Sequence, residues 1–217
     1  MSQTPIDKHS ANRLLLVCVL TVLVSSFFVS QIQRSFGDVQ IRDIKIPTHN
    51  GQWVAGDLFK PNSASSEKPV PLIVVVPGFQ RSKESLSNIA IELARRGFVA
   101  LSIDPYAQGG SSASLSRIAA TTEGYGLFAV VDYAASTGNL NYIDRKRIGA
   151  TGHSAGGNAA IRGANYFGRE AQRTGQPSKL HSVYVSGYVL TLRDDVLKDV
   201  RSNVGASYAL YDEGAYR

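Results

Sequence analysis

Cysteine is almost missing from this chain: Cys18 is the only one, and it lies inside an apolar run. A single cysteine excludes an intrachain disulfide and any metal site built from several thiolates. Internal repeats and low-complexity tracts are also missing, which excludes a repeat array. Acidic residues are the minority, 17 Asp and Glu against 23 Lys and Arg, for a formal net charge of +6. The basic residues are scattered and form no stripe. The surplus therefore reads as a solvated basic surface and not as a nucleic-acid groove, with contact to anionic lipid as the weaker alternative. Histidine is scarce as well: there are four, His9, His49, His153 and His181.

What is present fits one globular domain behind an apolar leader. A length of 217 residues, 43% hydrophobic and 18% charged, is enough to bury a sizeable core. "LLLVCVLTVLVSSFFVS", residues 14–30, is apolar on every face and near the lower limit for crossing a bilayer. Lys8, His9 and Arg13 precede it, which suggests a cytoplasmic segment 1–13, an uncleaved single-pass anchor at 14–30 in the cell membrane and an outward-facing domain. A signal peptide cleaved near "VSS", with a secreted product, is the alternative. Residues 31–38 read as a polar linker and 39–217 as the domain.

"VQIRDIKIP", Val39 to Pro47, alternates apolar and polar as a half-buried strand does. Asn50-Gly51 signals a hairpin turn, and "QWVAGDLFKP" is the returning strand. "PLIVVVPG" is a β-branched run suited to a strand buried on both faces. Strand and helix then alternate. Leu86, Ile89, Ala90, Leu93 and Ala94 form one helical face, closed by Gly97, and "FVALSID" is the next strand. Helices are expected over 123–136 and 155–169, and strands at "RIGATG", within 179–190, and over 204–213. The pattern is that of an α/β domain: a mostly parallel sheet, helices on both faces, led by an antiparallel hairpin.

The stretch with chemistry in it is "RIGATGHSAGGNAA", Arg147 to Ala160. "GHSAG" fits G-x-S-x-G, in which a serine is held exposed on a strained strand-to-helix turn. Gly152 and Gly156, two before and two after it, remove side chains that would clash there. A buried strand upstream and a small-residue helix downstream supply the required context. The same glycines loosely match a dinucleotide-binding loop. That reading lacks the first-strand position, an acid ending the next strand and the lysine of G-K-[ST].

"DRKRIGATGHSAGG", Asp144 to Gly157, resembles the nucleophile region of α/β-hydrolases, and most closely the dienelactone hydrolase-like and polyester-hydrolase-like serine esterases. The likeness extends from about residue 40 to 217. "VVVPGFQRS" is similar to the family's oxyanion loop, with Pro77 where a histidine is usual; "SIDPYAQGGSS" is similar to its next loop, and "ALYDE" to the strand end that carries the acid. The resemblance implies an α/β-hydrolase fold. Ser154 would be the nucleophile, Ala155 and Phe79 the backbone donors of the oxyanion hole, and Asp212 the acid, with Glu213 left open. Asp104 would organise a loop without acting in catalysis, and Asp144 would cap the turn before the serine strand.

It further implies an ester or related carbonyl substrate, an acyl-serine intermediate, and no metal or organic cofactor. The family places its histidine in a loop after one more strand beyond Asp212. None of the four histidines suits that role: His153 adjoins the serine and is expected to be packed or hydrogen-bonded, and His181 starts a strand at the wrong end. The expectation is a C-terminally incomplete hydrolase domain, with its last strand and helix missing. The competing reading is an inactive hydrolase-fold protein that binds a partner or small ligand.

Overall fold

The computed structural model describes residues 8–48, 51–114, 123–187 and 194–209. The chain divides into two compact units, Met1–Asp38 and Val39–Arg217. The first holds helix α1, Lys8–Gln33, followed by a 3-10 turn over Ser35–Gly37. The helix therefore takes in Gln31 to Gln33, which the sequence reading assigned to the linker. None of its residues is buried, and leucine, valine and phenylalanine point outward all round. Even its Thr21 hydroxyl is satisfied internally, donating to the Val17 carbonyl at 2.8 Å. Among the described residues it is the one helix long and apolar enough to cross a membrane.

The second unit is a seven-stranded sheet in the order β1-β2-β4-β3-β5-β6-β7. Its strands are β1 Val39–Pro47, β2 Trp53–Pro61, β3 Val70–Val76, β4 Val99–Ile103, β5 Ile143–His153, β6 Ser182–Ser186 and β7 Asn203–Ser207. β1 and β2 form the expected antiparallel hairpin, Val39 opposite Pro61 and Pro47 opposite Trp53. β2 pairs antiparallel with β4, and all further pairings are parallel. The parallel strands thus end along one rim, at Val76, Ile103, His153, Ser186 and Ser207. This is the architecture of an α/β-hydrolase domain.

The strand period of two divides the core. Leu72, Val74, Val76, Leu101 and Ile103 meet Leu127, Val131, Ala159 and Phe167 on one face. Val75, Ala100 and Phe59 meet Ala90 and Ala94 on the other. The first face is covered by α3, Leu127–Ser136, and α4, Ala155–Thr174; the second by α2, Ser87–Arg95. Leu72, Val74 and Leu101 are wholly buried, each worth about 1.5–3 kcal/mol relative to exposure.

Several boundaries in the second unit differ from expectation. The helix expected over 123–136 begins as a 3-10 turn at Gly124–Gly126, kinked at Tyr125 with φ 53°, and becomes α-helical only at Leu127. α4 runs on to Thr174, where Gly175 takes the left-handed conformation that closes helices. β7 ends at Ser207, well short of Glu213.

β5 is irregular at its start. Its pairing with β3 jumps from Val70–Ile143 to Leu72–Ile148, so Asp144 to Arg147 bulge out. Asp144 caps that bulge: its carboxylate accepts from the Lys146 N–H at 2.9 Å and from Arg147 Nε at 2.6 Å. The Lys146 amide, then the Arg147 guanidinium, hold its pKa below the ordinary carboxylate value.

Candidate active site

Ser154 is the single residue between the end of β5 and the start of α4, and it adopts φ 53°, ψ −119°. A non-glycine residue there costs on the order of 1–3 kcal/mol and persists only where its surroundings over-determine it. They do so here from three sides. The Ser154 N–H donates to the Ser186 carbonyl at 2.9 Å, which extends the β5–β6 ladder by one step. The Ser154 carbonyl accepts from the Asn158 N–H at 3.1 Å, which begins the helix. The two glycines do the rest. A β-carbon on Gly152 would overlap the Gly156 backbone, and one on Gly156 would overlap the Val76 carbonyl oxygen at the end of β3. The helix start can therefore lie directly against β3, and the serine is pushed up over the rim, partly exposed.

The loop after β3 runs beside this turn. A β-carbon at Gly78 would lie 3.5 Å from Ser154 Cβ. Pro77 and Gly78 are buried, whereas Phe79 is 67% exposed. Gln80 takes φ 54°, and the Arg81 N–H closes a turn onto the Gly78 carbonyl at 3.2 Å. Across from it stands the N-terminus of α4. Its first amide, that of Ala155, has no carbonyl within the helix to bond, and a 20-residue helix places partial positive charge there. The structure thus brings Ser154, Ala155, Gly152, Gly156 and the Gly78–Phe79 loop together at one point of the rim.

Asp104, at the end of β4, is 1% exposed. One carboxylate oxygen accepts the Lys83 N–H at 2.7 Å and the other the Gly110 N–H at 2.8 Å. The Ser111 hydroxyl donates to the Asp104 carbonyl at 2.6 Å. Both carboxylate oxygens are engaged in holding backbone, as expected of an organiser. The resemblance implied that Asp104 organises the loop after β4, where Gly110 lies; it gave no sign of the bond to Lys83, for which no local signal exists.

Asp212, Glu213 and His49 lie outside the described residues. His153 is exposed and not packed in the core; its Nε2 would lie 3.2 Å from a β-carbon on Gly187. His181 precedes β6 at the end opposite the serine, tied to Ile148 by a backbone bond of 2.8 Å. His9 is in α1.

A family model described as PETase, PET hydrolase-like, matches residues 27–211. A bis(hydroxyethyl) terephthalate hydrolase of Streptomyces coelicolor is 27% identical over 131 residues, 60% of this chain and 38% of that protein. The crystal structure of the α/β-hydrolase GrgF from Penicillium superposes with a TM-score of 0.55 at 22% identity, covering 68% of this chain and 46% of the other. A hyperthermophilic esterase from the archaeon Pyrobaculum calidifontis gives a TM-score of 0.53 at 20% identity, covering 80% and 54%. The matched part of this chain thus spans only about half, or less, of the length of these relatives.

Proposed function

We propose a serine esterase, because this chain belongs to the PET hydrolase-like family and carries its serine on a glycine-flanked turn at a helix N-terminus. In this reading Ser154 Oγ attacks the ester carbonyl carbon as a general base takes its proton. The carbonyl oxygen becomes an oxyanion that accepts from the Ala155 and Phe79 N–H groups. The alkoxide leaves with that proton, and water then hydrolyses the acyl-serine to free acid and restored serine. The family pattern assigns the base to a histidine beyond Asp212, oriented by Asp212 or Glu213. No metal or organic cofactor enters these steps.

The substrate class is a carboxylic ester, and the Streptomyces relative makes bis(hydroxyethyl) terephthalate the first ester to try. α1 serves as a membrane anchor, with Lys8 and Arg13 on the cytoplasmic side and the hydrolase domain outside. Retention of the intact N-terminus in a carbonate-washed membrane fraction checks this; a mature protein starting after α1 would make the segment a signal peptide.

The observation that carries the reading is the positive φ of Ser154 above the rim. Ser154→Ala should lower turnover of bis(hydroxyethyl) terephthalate or p-nitrophenyl acetate by at least about 10³-fold. Equal rates in the wild type and the variant would remove the nucleophile assignment.

A further inference from the structure

We propose that Lys83 is a positioning residue that anchors the far end of the oxyanion loop; the inference rests on the esterase reading above. The near end of that loop is fixed where Pro77 is buried and Gly156 presses against the end of β3. Between Pro77 and Lys83 lie only Gly78 to Ser82, including exposed Phe79 and left-handed Gln80. Such a short segment keeps one path only if both of its ends are held.

Lys83 is held at three separate atoms. Its N–H donates to Asp104 Oδ1 at 2.7 Å, its carbonyl accepts from the Ser102 hydroxyl at 2.7 Å, and its Nζ donates to Asp57 Oδ1 at 2.7 Å. Ser102 on β4 and Asp104 directly after it are buried, and Asp57 is half-buried on β2. The loop is thereby tied to two strands that carry none of the site's own residues.

The ammonium also resolves a local conflict. Asp43 and Asp57 face each other across the β1–β2 ladder, a like-charge pair that destabilises a sheet when left alone. Lys83 Nζ stands 2.7 Å from Asp57 and 3.7 Å from Asp43, with Glu84 at 3.4 Å. Partial burial pulls the Lys83 pKa down, but the hydrogen bond and charge of Asp57, with Glu84, outweigh it and leave it raised. The cation is therefore retained in the folded protein, and its position fixes where the loop ends.

The test compares Lys83→Met, which keeps both backbone bonds and removes the ammonium, with Ser102→Ala, which removes only the hydroxyl bond to the Lys83 carbonyl. Lys83→Arg serves as rescue, all in the full-length chain. Amide hydrogen exchange over 78–82 should rise about tenfold in the first two variants and return towards wild type in the third. kcat on p-nitrophenyl acetate should fall about tenfold with KM within about twofold, because a misplaced donor weakens the transition state more than substrate binding. A global loss of fold would speed exchange everywhere, whereas the anchor affects 78–82 first. Wild-type exchange of 78–82 in both variants, or faster exchange with unchanged kcat, would overturn the proposal. A wild-type protein no more active than Ser154→Ala would remove the esterase reading instead, and the exchange result would still decide whether Lys83 holds the loop.

Discussion

The rim of the sheet is built in two ways. Over β3 and β5 the chain is locked: β3 is a run of buried Val and Leu, and the glycines of the serine turn leave no room for a β-carbon. Over β6 and β7 it is thin. β7 reads Asn-Val-Gly-Ala-Ser, no residue in it is buried, and Tyr184 and Val204 are exposed. Among the described residues, the difference teaches which strands hold the buried surface. Ser154, Ala155 and the Gly78–Phe79 loop stand over central strands, where a displacement must disturb a packed core. The strand leading towards Asp212 and Glu213 can open locally at a much lower cost in buried surface.

The comparison breaks most sharply under a pair of truncations. Leu72→Ala, in the middle of β3, should cost about 2–5 kcal/mol, and Val204→Ala in β7 less than about 1 kcal/mol. Urea melts of the two proteins in mild detergent measure both. Equal losses would mean that β7 is as firmly built as β3.

A smaller effect sharpens the boundary between the halves. Gly187 follows β6 with φ 62°, donates to the Ser207 carbonyl at 2.8 Å, and lies against His153. Gly187→Ala should cost about 1–2 kcal/mol from the left-handed conformation, with amide exchange quickening in β7 before it does in β5. Exchange rising equally in both strands would show that the two halves open as one.

The smallest effect concerns acid. The depressed pKa of Asp144 means that its contribution to stability is complete above its ordinary value of 3.8 and disappears as pH falls through the lower folded value. Asp144→Asn should therefore flatten the acid limb of the stability–pH curve. Because the bulge sits at the start of β5, away from the rim, exchange at Ser154 should be the same in both proteins at neutral pH.

Much of this organisation was legible in the sequence. The β1 alternation, bounded by Pro47 and the Asn50-Gly51 signal, marks its own limits, and G-x-S-x-G between a buried strand and a small-residue helix marks the turn. What was not legible depends on tertiary contact. Tyr125 lies between two glycines and takes a positive φ that its own side chain disfavours. Gly168 looks like a helix stop, yet it lets α4 pack against the Asp199 carbonyl, and the true stop comes at Gly175. The expected strand over 204–213 reads on past Ser207 in the sequence, whereas the described β6–β7 ladder ends with Ser186 opposite Ser207, and residues 210–213 lie outside the described residues. The Lys83 anchor joins residues from two strands and a loop, a grouping that no spacing rule contains.

The conformation of Ser154 has one more consequence. At φ 53°, ψ −119° the backbone prefers glycine, the one residue that occupies this region without a β-carbon penalty. Stability and the proposed reactivity therefore pull on this position in opposite directions. With Ser154 as the proposed nucleophile, repeated rounds of heating and survival, with no demand for turnover, would favour a chain that has exchanged its hydroxymethyl side chain for a hydrogen, folded more comfortably and chemically silent.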